Sequence, residues 1–162
     1  MDIAIISDTH LPRGSRALPE VCVERLKAAD LIVHAGDFSR LEVLEELKGY
    51  GPVIAVWGNT DDALLRAALP ETAVIPVGDG RTLAVIHDAG PAQARLRRLR
   101  ARFPAAAAVI FGHSHIPLHE QAPDGFQIFN PGSPTDRRRQ PRHTMGVCHA
   151  RAELRFELVE LD

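Results

Sequence analysis

The sequence predicts an α/β protein, a four-layer αββα sandwich of two mixed sheets flanked by helices, and three observations lead there. Short β-branched apolar runs alternate with stretches of helical period through most of the chain, as βαβ units require. Polar residues able to carry chemistry fall at the ends of those runs. The tail changes to paired strand-like segments around a Pro-Asp-Gly turn, which implies antiparallel pairing and a second sheet. In chain order, Ile3 to Ile6 is apolar at every position and reads as a strand buried on both faces. A helix follows at about Pro19 to Ala29, a strand at Leu31 to Val33, a helix at Leu41 to Lys48 and a strand at Val53 to Trp57. A helix at Asp62 to Leu69, strands at Ala73 to Val77 and Thr82 to Ile86, a helix at Pro91 to Arg102 and a strand at Ala107 to Phe111 continue the alternation. In the tail, Leu118 to Gln121 pairs with Phe126 to Phe129, and Thr144 to His149 with Glu153 to Val159.

At 162 residues the chain has the length of one ordinary domain, 1–162, with no linker, low-complexity tract or repeat period. Apolar residues at 45% and charged residues at 25% exclude a disordered or membrane-embedded chain. A net charge of −2 carries no polyanion signature, so any nucleic-acid role must rest on a local patch. Cys22 and Cys148 stand apart without a CxxC pair and read as small apolar residues in a reducing compartment. No basic leader precedes an apolar stretch, and no apolar run approaches the roughly 18 residues of a membrane span, so the expected location is the cytoplasm.

Seven residues close the strand runs: Asp8 and His10 after the first, Asp37 after the second, Asn59 after the third, His87 after the Thr82 run, His113 and His115 after the Ala107 run. In an open parallel sheet the C-terminal strand ends share one edge, so these loops converge on one crevice. Gly36, Gly58 and Gly112 each precede a candidate ligand, where a tight turn or close backbone approach favours a residue without Cβ. Two carboxylates, one amide and four imidazoles without a thiolate suit divalent Mn, Fe, Co, Ni or Zn better than calcium. Seven side chains exceed the need of one tetrahedral ion and match two ions sharing a carboxylate.

Asp8-Thr9-His10, Gly36-Asp37, Gly58-Asn59-Thr60-Asp61, His87 and Gly112-His113-Ser114-His115 resemble the ordered motifs of calcineurin-like metallophosphoesterases. The small bacterial and archaeal phosphodiesterases of that superfamily are the nearest likeness, and Asn130-Pro131-Gly132-Ser133 is typical of them. The resemblance puts Asp8, His10 and His115 on one metal, Asn59, His87 and His113 on the other, and Asp37 between. It implies two divalent ions per chain, manganese foremost, and hydrolysis of a small phosphodiester by a hydroxide bridging the metals, with Asp37, Asn59 and His113 assigned to catalysis. Phosphomonoesterase and nuclease activity are the enzymatic alternatives. A non-catalytic interaction scaffold is the alternative of another class, since a retromer subunit uses the same fold that way; all seven positions are filled here, which favours the enzyme.

Two positions depart from the family pattern. Thr60 stands where many relatives carry a histidine, and a threonine cannot readily donate a proton at neutral pH, which points to good leaving groups and to aryl diesters over alkyl ones. Asp88 replaces the usual glycine after the fourth motif histidine; at a positive φ it would strain the turn, and it would add a carboxylate near the second metal, making His87 the least secure ligand. Asp61, just ahead of a helix, reads as its cap. His34 reads as a hydrogen-bonded scaffold residue, His119, His143 and His149 as ordinary strand or surface residues, and Thr9, Thr60 and Ser114 as turn-formers. Arg137, Arg138 and Arg139, with Arg142 behind, form either a solvated charge run or a clamp for a phosphate or oligonucleotide, and Arg13 and Arg16 share that ambiguity. The Arg95 to Arg102 cluster reads as an exposed helix face. Homo-oligomerisation is open.

Overall fold

The computed structural model describes residues 1–162 and resolves the alternation into β1 (Asp2–Ile6), α1 (Glu20–Ala28), β2 (Leu31–His34), α2 (Leu41–Lys48), β3 (Val53–Ala55), α3 (Ala63–Ala68), β4 (Thr72–Pro76), β5 (Thr82–Ile86), α4 (Arg95–Arg102), β6 (Ala108–Ile110), β7 (Leu118–Gln121), β8 (Gln127–Asn130), β9 (Thr144–Ala150) and β10 (Leu154–Glu160). One sheet has the order β10-β9-β1-β2-β3 and the other β4-β5-β6-β8-β7. Strands β1, β2 and β3 run parallel, as do β5, β6 and β8, while β9, β10, β4 and β7 add antiparallel edges.

The all-apolar strands follow from a sheet covered on both sides. In β1, Ile3 and Ile5 point between the sheets, where they meet Val33, Val85, Ile110, Phe129 and Phe156. Ala4 and Ile6 point the other way, against Cys22, Leu26, Leu44, Leu47 and Leu65 of the helices α1, α2 and α3. Across the second sheet, Ala84, Val109 and Ile128 face Leu99 of α4. Helix, sheet, sheet, helix is the predicted order of layers.

The pairing differs from the expectation in two places. The tail does not build a sheet of its own: β7 and β8 extend the sheet of β5 and β6, whereas β9 inserts beside β1, with Ala4 opposite Val147. Strand β4 pairs antiparallel with β5, because the connection 77–81 is too short for a parallel crossover and turns on Gly78, Asp79 and Gly80, all at positive φ. Helix α4 begins at Arg95, not Pro91, since Ala94 at φ 51° interrupts the helical backbone. Arg97 and Arg102 are exposed, as expected, but three other arginines of the helix are engaged: Arg95 lies over the Phe111 ring, Arg98 donates to the Ala89 carbonyl, and Arg100 pairs with Asp124 at 2.8 Å. Helix α3 is capped by Asp62, whose carboxylate accepts from Leu65 N at 2.9 Å, and not by Asp61. Both cysteines are buried free thiols, pushed up to about 12 by burial.

Candidate metal centre

The parallel strands of both sheets end at one rim, so the crevice lies between two sheets and not along the edge of one. All seven expected residues meet there. His10 Nε2 and His115 Nε2 are 3.2 Å apart, and Asp8 Oδ1 lies 3.4 Å from the second and 4.0 Å from the first. Asp37 Oδ2 is 3.7 Å from His10 Nε2 and 3.4 Å from His87 Nε2, so it stands between the two groups. Asn59 Oδ1 is 3.0 Å from His87 Nε2 and 2.9 Å from His113 Nδ1. Two triads have ligand atoms close enough to share an ion: Asp8, His10, His115, and Asp8, Asp37, His87.

The donor set fits divalent cations. Asp8 Oδ2 accepts from Ser7 Oγ at 2.6 Å and from His113 N at 3.0 Å, but Asp8 Oδ1, on the side of the histidines, is buried with no hydrogen-bond partner. An orphaned carboxylate oxygen facing imidazole nitrogens is costly to desolvate unless a cation compensates it. His87 donates from Nδ1 to the Ala35 carbonyl at 2.7 Å and His115 from Nδ1 to the Asp136 carbonyl, which turns each Nε2 toward the crevice.

Electrostatics separate the two carboxylates. Burial raises Asp8 to about 7 against the pull of His87 and Ser7. Burial also acts to raise Asp37, but the hydrogen bond and charge of His87 and the Thr60 N–H outweigh it and hold the group well below the usual carboxylate range. Burial lowers His10, and it lowers His115 to about 4. His87 moves up, since Asp37 and Asp8 overcome the burial that disfavours its charge.

Local backbone explains how the ligands reach the rim. Asp8, His10, Asp37, His113 and His115, five of the seven, adopt φ between 47° and 68°. Left-handed non-glycine residues are uncommon and concentrate at functional sites. A Cβ on Gly112 would overlap Ser7 Oγ and come within 2.7 Å of Asp8 Oδ2, and one on Gly58 would overlap the Asp37 carboxylate, so both glycines are there for close approach.

Supporting residues bind the loops together; of these the sequence singled out Asp61, Asn130, Ser133 and His34 but not Thr135 or Arg66. Asp61 accepts from Asp37 N at 3.1 Å, Ser39 N at 2.8 Å and Gly58 N at 2.7 Å, joining the loops after β2 and β3. Its place three residues after Gly58 was visible; its direction was not. Asn130 donates to the Gly112 carbonyl and to Ser114 Oγ, Ser133 Oγ to the Asp8 carbonyl, and Thr135 Oγ1 to the Thr9 carbonyl, so the segment after β8 clamps the β1 and β6 loops. Arg66 donates to the carbonyls of Asn59 and Asp61. His34 is the scaffold residue expected: fully buried and held neutral by burial, it accepts from Gly36 N at Nδ1 and reaches Thr9 Oγ1 through Nε2.

Asp88 departs from its expectation. Its φ is not positive; the left-handed position of the turn is Gly90, whose N–H bonds Asp88 Oδ1 at 2.7 Å. His87 stays 4% exposed and fully placed beside Asp37, so Asp88 does not loosen it. Arg137, Arg138 and Arg139 are exposed. Arg137 turns back onto the Gln140 carbonyl, whereas the Arg138 charge bears on both His10 and His115, and Arg16 pairs with Asp136 at 3.3 Å behind His115.

The sequence profile of the calcineurin-like phosphoesterase superfamily domain matches residues 1–153. The chain belongs to that superfamily. A probable metallophosphoesterase of Methanocaldococcus jannaschii is 36% identical over 138 residues, covering 83% of this chain and 69% of the relative. Among solved structures, Vps29 of Entamoeba histolytica complexed with zinc superposes with a TM-score of 0.77 at 21% identity over 100% of both chains. An archaeal phosphodiesterase superposes with a TM-score of 0.72 at 20% identity, covering 98% of this chain and 100% of that one. These likenesses establish the αββα fold expected from the sequence. No helix is long and apolar enough to cross a membrane.

Proposed function

We propose that the chain is a metal-dependent phosphodiesterase in which Asp8, His10 and His115 hold one divalent ion, Asn59, His87 and His113 a second, and Asp37 both. The observation that carries this reading is the orphaned Asp8 Oδ1 opposite His10 and His115, with Asp37 set between those histidines and His87. Bound ions of this kind lower the pKa of water toward neutrality and take up phosphoryl charge in the transition state. The exposure of Asn59 and His113 supports contact of both with the phosphate. Thr60 Oγ1 lies 3.4 Å from His10 Nδ1 and offers no proton at neutral pH, so the leaving group must depart as a stable anion, which favours aryl diesters over alkyl diesters. Arg138, flanked by Arg137 and Arg139, supplies positive charge at the His10 and His115 side for an anionic substrate. Manganese is the first ion to test, with Ni, Fe, Co and Zn behind it, because oxygen and imidazole donors are mixed.

The test is metal analysis with hydrolysis of bis(p-nitrophenyl) phosphate by apo, Mn²⁺-loaded and Ni²⁺-loaded protein, beside Asp37→Asn. Two ions per chain and metal-dependent turnover that collapses in Asp37→Asn are expected; full activity in that variant refutes the assignment. A scaffold role is the second reading, favoured by the likeness to Vps29. Since that neighbour also takes zinc, metal binding alone does not separate the two, whereas turnover does.

A further inference from the structure

On the Asn59 side of the centre lies a cavity of about 320 Å³, within the roughly 300–1,000 Å³ of small-molecule sites. Asn59 and His87 form its inner wall, so the same two side chains belong to the metal centre and to the cavity. Trp57, Glu71, Ile86, Asp88 and Arg102 complete it. We propose that this cavity is a subsite for a planar ring bearing N–H donors, the base of a nucleotide ester, an inference that rests on the phosphodiesterase reading above.

The chemistry of the wall selects that class. The indole of Trp57 offers a flat surface for stacking, and base-on-aromatic stacking tolerates any base. Its position is fixed from α3, where Arg66 lies 4.8 Å over the ring while donating to the Asn59 carbonyl at 2.7 Å. Glu71 and Asp88 are exposed carboxylates and accept hydrogen bonds; Arg102, 3.5 Å from Glu71, donates them. A hydrocarbon ring could stack but would strip water from the carboxylates without replacing it. A ring with N–H and C=O groups on its edge serves both the acceptors and the donor. Asp88 is the informative member, because it stands where the family pattern has glycine: the acceptor belongs to this chain and not to the common hydrolytic set.

Trp57 is the only tryptophan, so intrinsic fluorescence reports on this cavity independently of turnover. In the metal-loaded protein, guanosine 5′-monophosphate should quench it saturably, and ribose 5-phosphate about tenfold more weakly; Asp88→Asn should weaken the nucleotide by about tenfold, the scale of a lost charge-assisted hydrogen bond. Turnover gives the second readout. Thymidine 5′-(p-nitrophenyl phosphate) and methyl p-nitrophenyl phosphate release the same leaving group, so their kcat/KM ratio measures what the nucleoside adds, and its change in Asp88→Asn measures the contact to the base. The ratio should be about tenfold or more and fall by about tenfold in Asp88→Asn. Equal quenching by ribose 5-phosphate, absence of quenching by the nucleotide with ions bound, or a loss in Asp88→Asn shared by both esters overturns the subsite. Saturable, Asp88-dependent quenching without hydrolysis of either ester instead keeps the subsite and rejects the phosphodiesterase reading.

Discussion

Asp61 gives the clearest measure of how the two central loops are held. Replacing it with alanine removes the acceptor of three backbone N–H groups, those of Asp37, Ser39 and Gly58. Ser39 is half-buried and can turn to water, but Asp37 and Gly58 are buried. An orphaned buried donor costs about 1–3 kcal/mol, so the two together predict a loss of about 2–6 kcal/mol. At about 2–4 °C per kcal/mol for a chain of this size, the melting temperature should fall by roughly 10 °C. Asp61→Asn is the internal control. Its amide oxygen can take the place of Oδ2 for Asp37 and Gly58, while its NH₂ faces the Ser39 N–H, so it should lose about half as much. Urea denaturation of the metal-free proteins measures both, and metal affinity should fall in the same order because Asp37 and Asn59 sit on the loops released. A loss below about 1 kcal/mol in Asp61→Ala refutes the reasoning, since it would mean that those N–H groups find other acceptors.

Two further outcomes follow from the geometry. Gly112→Ala should cost about 1–3 kcal/mol by overpacking and weaken metal binding, because its methyl meets Ser7 Oγ and the Asp8 carboxylate; unchanged melting and metal content would refute the close approach. For Asp8, held at about 7 in the fold against 3.8 as reference, the folded state keeps a proton that the unfolded chain releases between those values. Its contribution is therefore full below about pH 4 and lost as pH rises through about 7, with a ceiling of roughly 4 kcal/mol. The stability of the wild type relative to Asp8→Asn, both in chelator, should fall across that window, and a flat difference would refute it.

The layer order and the convergence of the seven residues on one rim were legible because two local signals coincide: fully apolar runs mark doubly covered strands, and Asp, Asn or His follows within four residues where β1, β2, β3, β5 and β6 leave the sheet. What those signals do not carry is long-range pairing. Nothing local to Thr144–Ala150 says that it lies beside β1, because its apolar positions would satisfy either sheet. Asp61 and Asp62 are adjacent and both suit a cap; only the position of the Asp37 and Gly58 amides decides that the second caps α3 and the first holds the loops. The backbone at Asp88 was not legible for a related reason, since the turn places its left-handed residue at Gly90, two positions further on.

The left-handed backbone at Asp8, His10, Asp37, His113 and His115 bears on how such a site can change over time. Besides glycine, Asp, Asn and His are the residues enriched in that conformation, and β-branched or bulky side chains are excluded from it. The loops thus restrict these positions to nearly the same alphabet that ligates metal. A descendant that abandoned chemistry would be free to exchange histidine for asparagine or glycine, yet not for valine or leucine, so a lost centre would leave a polar, backbone-imposed imprint at these five positions.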